Sequence, residues 1–389
     1  MIKVLLISPT DPEKPQNLKL LVGGENTFTR TLLNNPPKNV EYTYHIDALK
    51  KGLIKYTFLH NLIALLVKFR ILPLSSGSQV LRVMENFDIV HCHSYSIKLY
   101  GSKAPLIVSD SSSNYLYLKD YINWPIWRIK IGYFLRFFLF SIFRIIDCDT
   151  NWSGAQKILV FSNYARKIHT DLGVPSKKME VVYPGVSVDY KNKKKKHKEL
   201  NILFVGIWFE RKGGLLLLEA FRKISNKYPN VKLTVVGPVT DQYKMRALNI
   251  DQKDFVPKEK LLREFFPNAD VFVLVPPKVE GFGFSVLEAM SFGIPVVVSN
   301  VCALPELVEN GKTGFVVKPG SVNDLVEKLE ILIKDQTLRE KMGDAARKRF
   351  LEKFSIEKSN SGLLKIYHFL YKLLQVRPQI NEGQFEFLV

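Results

Sequence analysis

The stretch Val279–Asn300, VEGFGFSVLEAMSFGIPVVVSN, contains a glycine loop between two segments of different character. An apolar run ends at Pro276–Pro277, the loop Gly281–Gly283 follows, and a helical pattern begins near Ser285. Glycines let backbone N–H groups approach a ligand closely, and the start of a helix adds unpaired N–H donors and a partial positive charge. The stretch therefore predicts a strand–loop–helix site for an anion, most naturally a pyrophosphate.

Two glutamates lie on either side of this loop. Glu280 precedes the helix, and Glu288 lies one turn inside it. One carboxylate can then reach a sugar beyond the phosphates, while the other can accept hydrogen bonds from both hydroxyls of a ribose. The structural alternative makes Glu280 a loop carboxylate and Glu288 a solvated helix residue. The glycine loop between them favours the functional interpretation.

Outward from this site, short apolar runs alternate with helical patterns, which is typical of βαβ units and parallel sheets. The expected strands are Val4–Ser8, Asp88–His91, Leu106–Ser109, Lys157–Phe161, Glu180–Tyr183, Asn201–Val205, Lys232–Val236, Asp270–Val275, Pro295–Ser299 and Gly314–Val317. The expected helices are Gly213–Lys227, Lys258–Phe266, Ser285–Phe292, Ser321–Lys334 and Thr337–Lys353. We expect an α/β chain of two Rossmann-like doubly wound domains facing across a cleft, 1–190 and 191–356. Ligands of such sheets bind at the carboxyl ends of the strands.

The glycine-loop stretch resembles the E-x7-E motif of the family 4 retaining glycosyltransferases, which have the GT-B fold. The likeness continues through Ser291–Ser299 and through Glu306–Gly314, which is similar to the family's E-x4-G-x2-G turn. The resemblance implies transfer of a sugar from a nucleotide-diphosphate sugar to an acceptor with retention at the anomeric carbon, without a metal or other cofactor. It also implies that a last helix, about 357–375, packs back onto the first domain.

Upstream, Phe204–Gly214 (FVGIWFERKGG) resembles the family's V-G-R-x4-K-G loop. The resemblance implies that Lys212 faces the donor phosphates, where a fixed cation stabilises the charge that develops on the leaving diphosphate. Ile207 stands where the family usually has arginine, so Arg211 is expected to compensate from the other side of the loop. Val256 falls in the segment that usually binds the base.

The first half resembles the family less closely. Gly23 and Gly24 are similar to its glycine loop near the donor phosphate, and Asp88–His93 (DIVHCH) is similar to one of its strands, whose histidines we expect to be structural. Where many relatives carry a histidine near the donor sugar, either Asp110, Ser111 or Asn114 takes its place or the pocket differs. The predicted catalytic residues are thus Glu280, Lys212 and Arg211. The predicted donor-binding residues are Gly23, Gly24, Gly206, Gly281, Phe282, Gly283, Phe284, Ser285, Glu288 and Val256, and no metal ligands are predicted.

Composition limits the cellular setting and the partners. The 389 residues are 46% hydrophobic, and three scattered cysteines predict neither a disulfide framework nor a metal site. The opening MIKVLLISP predicts a buried strand rather than a secretory signal, so we expect a cytoplasmic protein. The formal net charge of +19 predicts attraction to an anionic partner. The lysine-rich run Lys191–Lys198 adds to this charge, either as a solvated loop or as a lipid contact.

Two stretches of the first half favour association with a membrane. Ile122–Ile146 is apolar and aromatic but contains four arginines and lysines, which disfavours a spanning helix, and Lys50–Arg70 predicts an apolar helix with basic ends. Both are expected either to be buried helices with a basic rim or to lie on an anionic lipid surface. A lipid-linked sugar or glycolipid is then the expected acceptor, and the inner face of the cell membrane the expected location.

Other functions remain open at the level of sequence. A GT-B phosphorylase or sugar epimerase would share the glycine loop, and a catalytically silent protein would bind the sugar nucleotide without transferring the sugar. Nucleic-acid binding has only the charge in its favour, because the basic residues form no recognisable module. A hydrolase is disfavoured because its two carboxylates would flank a glycosidic bond, whereas Glu280 and Glu288 flank a phosphate loop.

Overall fold

The computed structural model describes residues 1–8, 24–68, 78–186, 199–239 and 249–376. It divides into two compact units. The first contains the opening strand, Phe28–Pro184 and the chain from Ser359, and the second contains Gly185–Lys358 together with the described residues 24–27. The predicted lysine-rich loop Lys191–Lys198 lies outside the described residues.

Parallel strands form the centre of the first unit. Its described strands are β1 (Ile2–Ile7), β2 (Val40–Tyr44), β3 (Ile54–Tyr56), β4 (Ser78–Val83), β5 (Ile89–His93), β6 (Ser96–Tyr100), β7 (Leu106–Asp110), β8 (Lys157–Val160) and β9 (Met179–Val181). The main sheet has the order β2-β1-β5-β7-β8-β9, and all its pairings are parallel. Strands β5 and β7 are buried along nearly their whole length, as expected of strands covered on both faces.

The helices of the first unit connect these strands. They are α1 (Gly24–Asn34), which joins this unit from Phe28, α2 (His45–Lys50), α3 (Phe58–Lys68), α4 (Asn114–Leu116), α5 (Ile126–Phe143), α6 (Asn163–Asp171) and, from Ser359, the last helix α13 (Ile356–Val376). The left-handed backbone of Arg144, with φ of 51°, ends α5 before the predicted limit at Ile146. In the described part of the chain, no helix combines the length and the hydropathy that crossing a bilayer requires.

The prediction of a single helix over Lys50–Arg70 is wrong at its amino-terminal end. Strands β3, β4 and β6 form a separate small sheet, in which β3 runs antiparallel to β4 and β4 runs parallel to β6. Residues Ile54–Tyr56 therefore extend along Leu81–Val83, and the helix begins only at Phe58. A strand partner so distant in sequence leaves no trace in local periodicity.

The last helix is hydrogen-bonded to the centre of the first sheet. The hydroxyl of Tyr367, fully buried, lies 2.7 Å from His91 Nδ1 and 3.0 Å from the hydroxyl of Tyr42. The other ring nitrogen of His91 lies 2.9 Å from Ser109 Oγ, which is also 2.9 Å from His93 Nδ1. Burial, with a smaller contribution from His93, lowers the pKa of His91 to about 3. His91 is therefore neutral at physiological pH and serves as a structural hydrogen-bonding residue.

The second unit has its own parallel sheet. Its described strands are β10 (Leu200–Val205), β11 (Val231–Val236), β12 (Ile250–Lys253), β13 (Val271–Leu274), β14 (Val296–Ser299) and β15 (Gly314–Val317). The order is β12-β11-β10-β13-β14-β15, with parallel pairing throughout. The helices are α7 (Gly214–Lys227), α8 (Lys258–Lys260), which continues as helical turns to Asn268, α9 (Phe284–Ser291), α10 (Leu304–Leu307), α11 (Val322–Lys334) and α12 (Gln336–Lys353). Two doubly wound parallel-sheet units are thus present, as the sequence predicts.

The loop from β10 to α7 lies against the end of β13 without room for a side chain. Gly213 adopts a φ of +85°, and a Cβ on it would lie 1.9 Å from the carbonyl oxygen of Val275. Gly311 provides a comparison in the same unit, because its φ is +78° but a Cβ on it would meet no atom within 4 Å. Of these two glycines, Gly213 alone combines a left-handed backbone with a backbone neighbour that leaves no space for a side chain.

We expect Gly213→Ala to destabilise the protein by more than about 3 kcal/mol, since the strained conformation and the overlap with Val275 add. The matched variant Gly311→Ala carries only the conformational cost, about 1–2 kcal/mol. Equilibrium unfolding in urea, followed by far-ultraviolet circular dichroism, measures both changes. Equal losses for the two variants would contradict the close approach at Gly213.

Candidate functional site

The carboxyl ends of β10 and β13 lie at the same edge of the second sheet, because these two strands are parallel neighbours. The chain that leaves β10 carries Lys212, and the chain that leaves β13 carries Glu280. Residues that are 68 positions apart in sequence therefore meet in one place. This is the edge at which ligands of open α/β sheets bind.

An ion pair between Lys212 and Glu280 forms the centre of the site. Lys212 Nζ donates to both carboxylate oxygens, at 3.2 and 3.1 Å, and Arg211 Nη1 lies 3.5 Å from Oε2. The side chains of Lys212 and Glu280 are 14% and 8% exposed. Two cations thus surround one buried carboxylate. The structure brings the three predicted catalytic residues together, although the sequence did not predict that they would pair.

The two cations keep Glu280 ionised. Burial alone raises the pKa of this carboxyl group, but the charge of Lys212, then that of Arg211, and a hydrogen bond from the Gly281 backbone N–H outweigh burial. The net result is a pKa below the ordinary value of a glutamate. Gly206 makes room for this arrangement, since a Cβ there would lie 2.5 Å from Lys212 Cδ. Besides its predicted contact with the donor, Gly206 therefore has a packing role.

Helix α9 begins at the glycine loop, one residue before the predicted start. Gly283, with φ of +94°, is the residue before the helix, and a Cβ on it would lie 2.7 Å from Leu304. Phe282 and Phe284 are buried and pack edge to face, so only their backbone is available to a ligand. The hydroxyl of Ser285, in the first turn, is buried and has no hydrogen-bond partner in the described chain. An anion at the helix start would supply one.

Glu288 is also buried, but a cation that the sequence analysis missed reaches it. Its side chain is 4% exposed and pairs with Lys258 Nζ, while the side chain of Lys258 is 39% exposed. Lys258 begins the short helix α8, two residues after Val256, the predicted base-binding residue, which is buried. No pattern in the sequence indicates this contact, since a lysine at the start of a helical turn is ordinarily solvated.

Three predicted residues of the first half lie in the first unit. Asp110 ends β7, and its Oδ1 accepts a hydrogen bond from the Ser112 backbone N–H at 3.3 Å. Ser111 follows it, and Asn114 begins α4. Gly24 begins α1, and Gly23 lies outside the described residues. Among the residues that the structure describes, no three histidine, cysteine, aspartate or glutamate side chains are grouped so as to hold a metal ion.

The chemistry available in the second unit is recognition of a polar anion. The start of α9 offers backbone N–H groups and an unsatisfied hydroxyl, and Lys212 and Arg211 offer positive charge beside it. Two buried carboxylates, Glu280 and Glu288, can accept hydrogen bonds from hydroxyl groups. A phosphate group joined to sugar hydroxyls matches all of these groups.

Two family models match the chain, one over each half. Residues 4–190 match the model described as Glycosyltransferase Family 4, and residues 187–349 match the model described as Glycosyl transferases group 1. Together the two models span nearly all of the described chain.

Two relatives illustrate the range of sequence similarity. The capsular polysaccharide biosynthesis glycosyltransferase CapM of Staphylococcus aureus is 37% identical over 180 residues, 42% of this chain and 46% of its own. An uncharacterized glycosyltransferase of Methanocaldococcus jannaschii, MJ1178, is 28% identical over 370 residues, 89% of this chain and 94% of its own. The match to CapM thus spans about half of that protein's length.

The solved structure of Anabaena Alr3699/HepE in complex with UDP-glucose superposes with a TM-score of 0.61 at 15% identity. The superposition covers 94% of this chain and 99% of that one. At such low identity the likeness concerns the fold alone, and it confirms the predicted GT-B fold.

We expect Lys212→Met and Glu280→Gln to be strongly coupled. In a double-mutant cycle the coupling free energy should be about 1–3 kcal/mol, because each single change leaves a buried group without its partner. The coupling depends on pH with a definite sign. Since the pKa of Glu280 is lowered on folding, its contribution is complete above 4.5, the ordinary value, and is lost as the pH falls through the folded-state pKa. Urea unfolding of the four proteins at several pH values measures it.

The pair Lys227–Glu330 provides the matched control for this cycle. It has a similar N–O distance of 2.9 Å, but the lysine side chain is 57% exposed. We expect its coupling to be small and sensitive to salt. A coupling for Lys212 and Glu280 no larger than that of the control pair would contradict the central position of this contact.

Proposed function

The chain belongs to the glycosyltransferases in which a Family 4 domain precedes a group 1 domain, and on this premise we propose that it transfers a sugar from a nucleotide-diphosphate sugar to an acceptor with retention at the anomeric carbon. One observation carries the proposal: the buried Lys212–Glu280 pair lies in the same unit as the glycine loop that begins α9. A leaving phosphate needs a positive charge and a sugar hydroxyl needs an acceptor, and Lys212 and Glu280 offer these two groups side by side.

In this proposal the diphosphate binds at the start of α9. The backbone N–H groups of the glycine loop donate to the phosphate oxygens, and the hydroxyl of Ser285 gains the partner that it lacks. The base lies against the segment that contains Val256, and Glu288 accepts hydrogen bonds from the ribose hydroxyls. HepE was solved with UDP-glucose, which makes a uridine nucleotide the first donor to test.

Lys212 acts on the bond that breaks. As the glycosidic C–O bond to the phosphate lengthens, negative charge accumulates on the phosphate oxygen, and a positioned ammonium stabilises it. Arg211 supports this charge, and Glu280 holds Lys212 in place and orients the donor sugar. In the proposed front-face mechanism the departing phosphate oxygen takes the proton of the acceptor hydroxyl. The residues assigned to these steps require no bound metal or other cofactor.

The proposed acceptor is a lipid-linked sugar or a glycolipid at the inner face of the cell membrane. The name of CapM assigns that protein to capsular polysaccharide biosynthesis. This supports our proposal of a role in glycan assembly for the present chain, which is similar to it. The apolar and basic stretches of the first half support a site of action at a lipid surface in the cytoplasm, as does the net charge of +19.

We expect one nucleotide sugar from a panel of uridine, guanosine and adenosine donors to release its nucleoside diphosphate, and membrane extract to accelerate this release. Lys212→Ala should lower the rate by about 100-fold or more, since it removes a stabilising charge from the transition state. Glu280→Gln should also lose activity. Release of nucleoside diphosphate and the anomeric configuration of the product, determined by nuclear magnetic resonance, are the measurements.

The matched controls Lys227→Ala and Glu330→Gln alter an exposed ion pair of the same unit, and we expect them to retain activity. Inversion at the anomeric carbon would exclude the retaining mechanism. A requirement for free phosphate, or turnover without an acceptor, would indicate a phosphorylase or epimerase instead. Donor binding without any release would indicate a catalytically silent protein.

The contact between Lys258 and Glu288 predicts an effect on donor affinity. If Glu288 binds the ribose, the ammonium of Lys258 must leave the carboxylate first. An ion pair with a partly exposed partner is worth about 1 kcal/mol, so Lys258→Met should tighten donor binding by about fivefold. Isothermal titration with the donor nucleotide measures the change.

Lys260→Met is the matched control, because Lys260 lies two residues further along the same short helix and its side chain is 54% exposed. We expect its donor affinity to equal that of the unaltered protein. Glu288→Gln should weaken binding, since an amide accepts fewer hydrogen bonds than a carboxylate. Weaker binding in Lys258→Met would show that the lysine contacts the donor rather than competing with it.

A further inference from the structure

Helix α5 directs two polar side chains toward the protein, while most of the side chains that it exposes are apolar. Ile129, Tyr133, Arg136 and Phe140 are spaced by three or four residues and share one face. Ile129 and Phe140 are each 1% exposed, and the other two make buried polar contacts. An ordinary surface helix exposes a polar face, whereas the exposed face of α5 is largely apolar.

Two aspartates that follow the helix hold its polar face. Arg136 pairs with Asp147 at 2.8 Å, and the side chains are 16% and 4% exposed. The hydroxyl of Tyr133 donates to Asp149 Oδ2 at 3.1 Å. These contacts fix the rotation of the helix about its own axis. Its outward face is therefore a rigid part of the first unit.

The outward face is covered with large apolar side chains. Trp127, Phe134 and Ile142 are 65%, 67% and 58% exposed, and Phe137, Phe138 and Ile131 are between 50% and 54% exposed. Single exposed apolar residues are common, but a continuous row over about four helical turns is not. A face of this kind indicates contact with an apolar medium or a partner.

The charge of the helix distinguishes a lipid surface from a protein partner. The helix contains no aspartate or glutamate, and Arg128 and Lys130 are exposed beside the aromatic row. Aromatic and basic side chains without acidic ones are typical of helices that lie in the interface of an anionic bilayer. A second copy of this chain, itself at +19, would bring like charges together.

A second helix extends the apolar surface. Ile63 of α3 and Phe140 of α5 belong to one small buried cluster with Val80 and Ile145. Phe58, on the outer side of α3, is 82% exposed. The two helices are thus neighbours, and both present apolar side chains to the exterior.

From these observations we infer that α5, with the adjoining exposed residues of α3, is a docking surface for an anionic lipid bilayer, into which its aromatic row inserts to shallow depth. The helix lies in the plane of the interface, because Tyr133 and Arg136 tie it to the protein along its length. The inference rests on the proposed action at a lipid surface and names the part of the chain that contacts the lipid. The binding itself requires neither donor nor sugar transfer, so it can be tested separately from catalysis.

The test is co-flotation of the full chain with lipid vesicles in the absence of any nucleotide sugar. We expect binding to vesicles that contain phosphatidylglycerol, weaker binding to vesicles of phosphatidylcholine alone, and weakening by salt. Phe134→Ser combined with Phe138→Ser should reduce the apparent affinity for the anionic vesicles at least tenfold. Arg128→Gln combined with Lys130→Gln should mainly reduce the dependence on salt.

Leu351→Ser is the control for loss of an exposed apolar residue, since Leu351 is 42% exposed on α12 of the second unit; it should bind as the unaltered chain does. Because Phe134 and Phe138 point outward, their variant should keep the thermal midpoint of the unaltered chain. The inference is overturned if the unaltered chain does not float with anionic vesicles, or if the double serine variant floats equally well. It is also overturned if the face instead mediates a dimer, seen by analytical ultracentrifugation without lipid and lost in that variant.

Discussion

The second unit depends on a contact at which two backbones come too close for any side chain. Gly213 lies against the carbonyl oxygen of Val275, at the edge where β10 and β13 end. The residue before this glycine is Lys212, and the stem of the lysine occupies the space that Gly206 leaves open. Backbone packing thus fixes where the Lys212 side chain starts and the gap at Gly206 holds its stem, and the ammonium group meets Glu280 at 3.1 Å. The charge arrangement of the site is a consequence of how the chain is packed.

This dependence explains which part of the site the sequence predicts. The apolar runs of β10 and β13 indicate parallel strands, and parallel strands place their following loops at one edge, so the proximity of Lys212 and Glu280 follows from the topology. The contact of Lys258 with Glu288 does not follow, because it depends on where the segment after β12 lies, and no periodicity reports that. The wrong expectation for Lys50–Arg70 has the same cause, since β3 exists only through its pairing with β4.

Helix α5 illustrates a different limit. Most positions of Ile126–Phe143 are apolar, so the sequence pattern predicts a helix without indicating which side is buried. The buried side is determined by Asp147 and Asp149, whose buried carboxylates pair with Arg136 and accept a hydrogen bond from Tyr133, respectively. Burying an unpaired carboxylate would cost more than exposing several apolar side chains. The outward aromatic row is therefore the result of polar groups being satisfied inside.

A related argument applies to the buried charges of the second unit. The ammonium of Lys212 is mostly removed from water, and without a counter-charge its burial would be unfavourable. Glu280 makes that position possible, while Arg211 leaves the cluster with one net positive charge beside the start of α9. Lys258 and Glu288 are neutral as a pair. An incoming diphosphate therefore meets a modest, fixed positive charge rather than the full charge of +19 that the chain carries. The charged side chains of the site were already largely removed from water when the protein folded. Because each buried charge is stable only with its neighbours present, the residues of this site act as one unit, and the effect of removing any one of them includes the disturbance of the others.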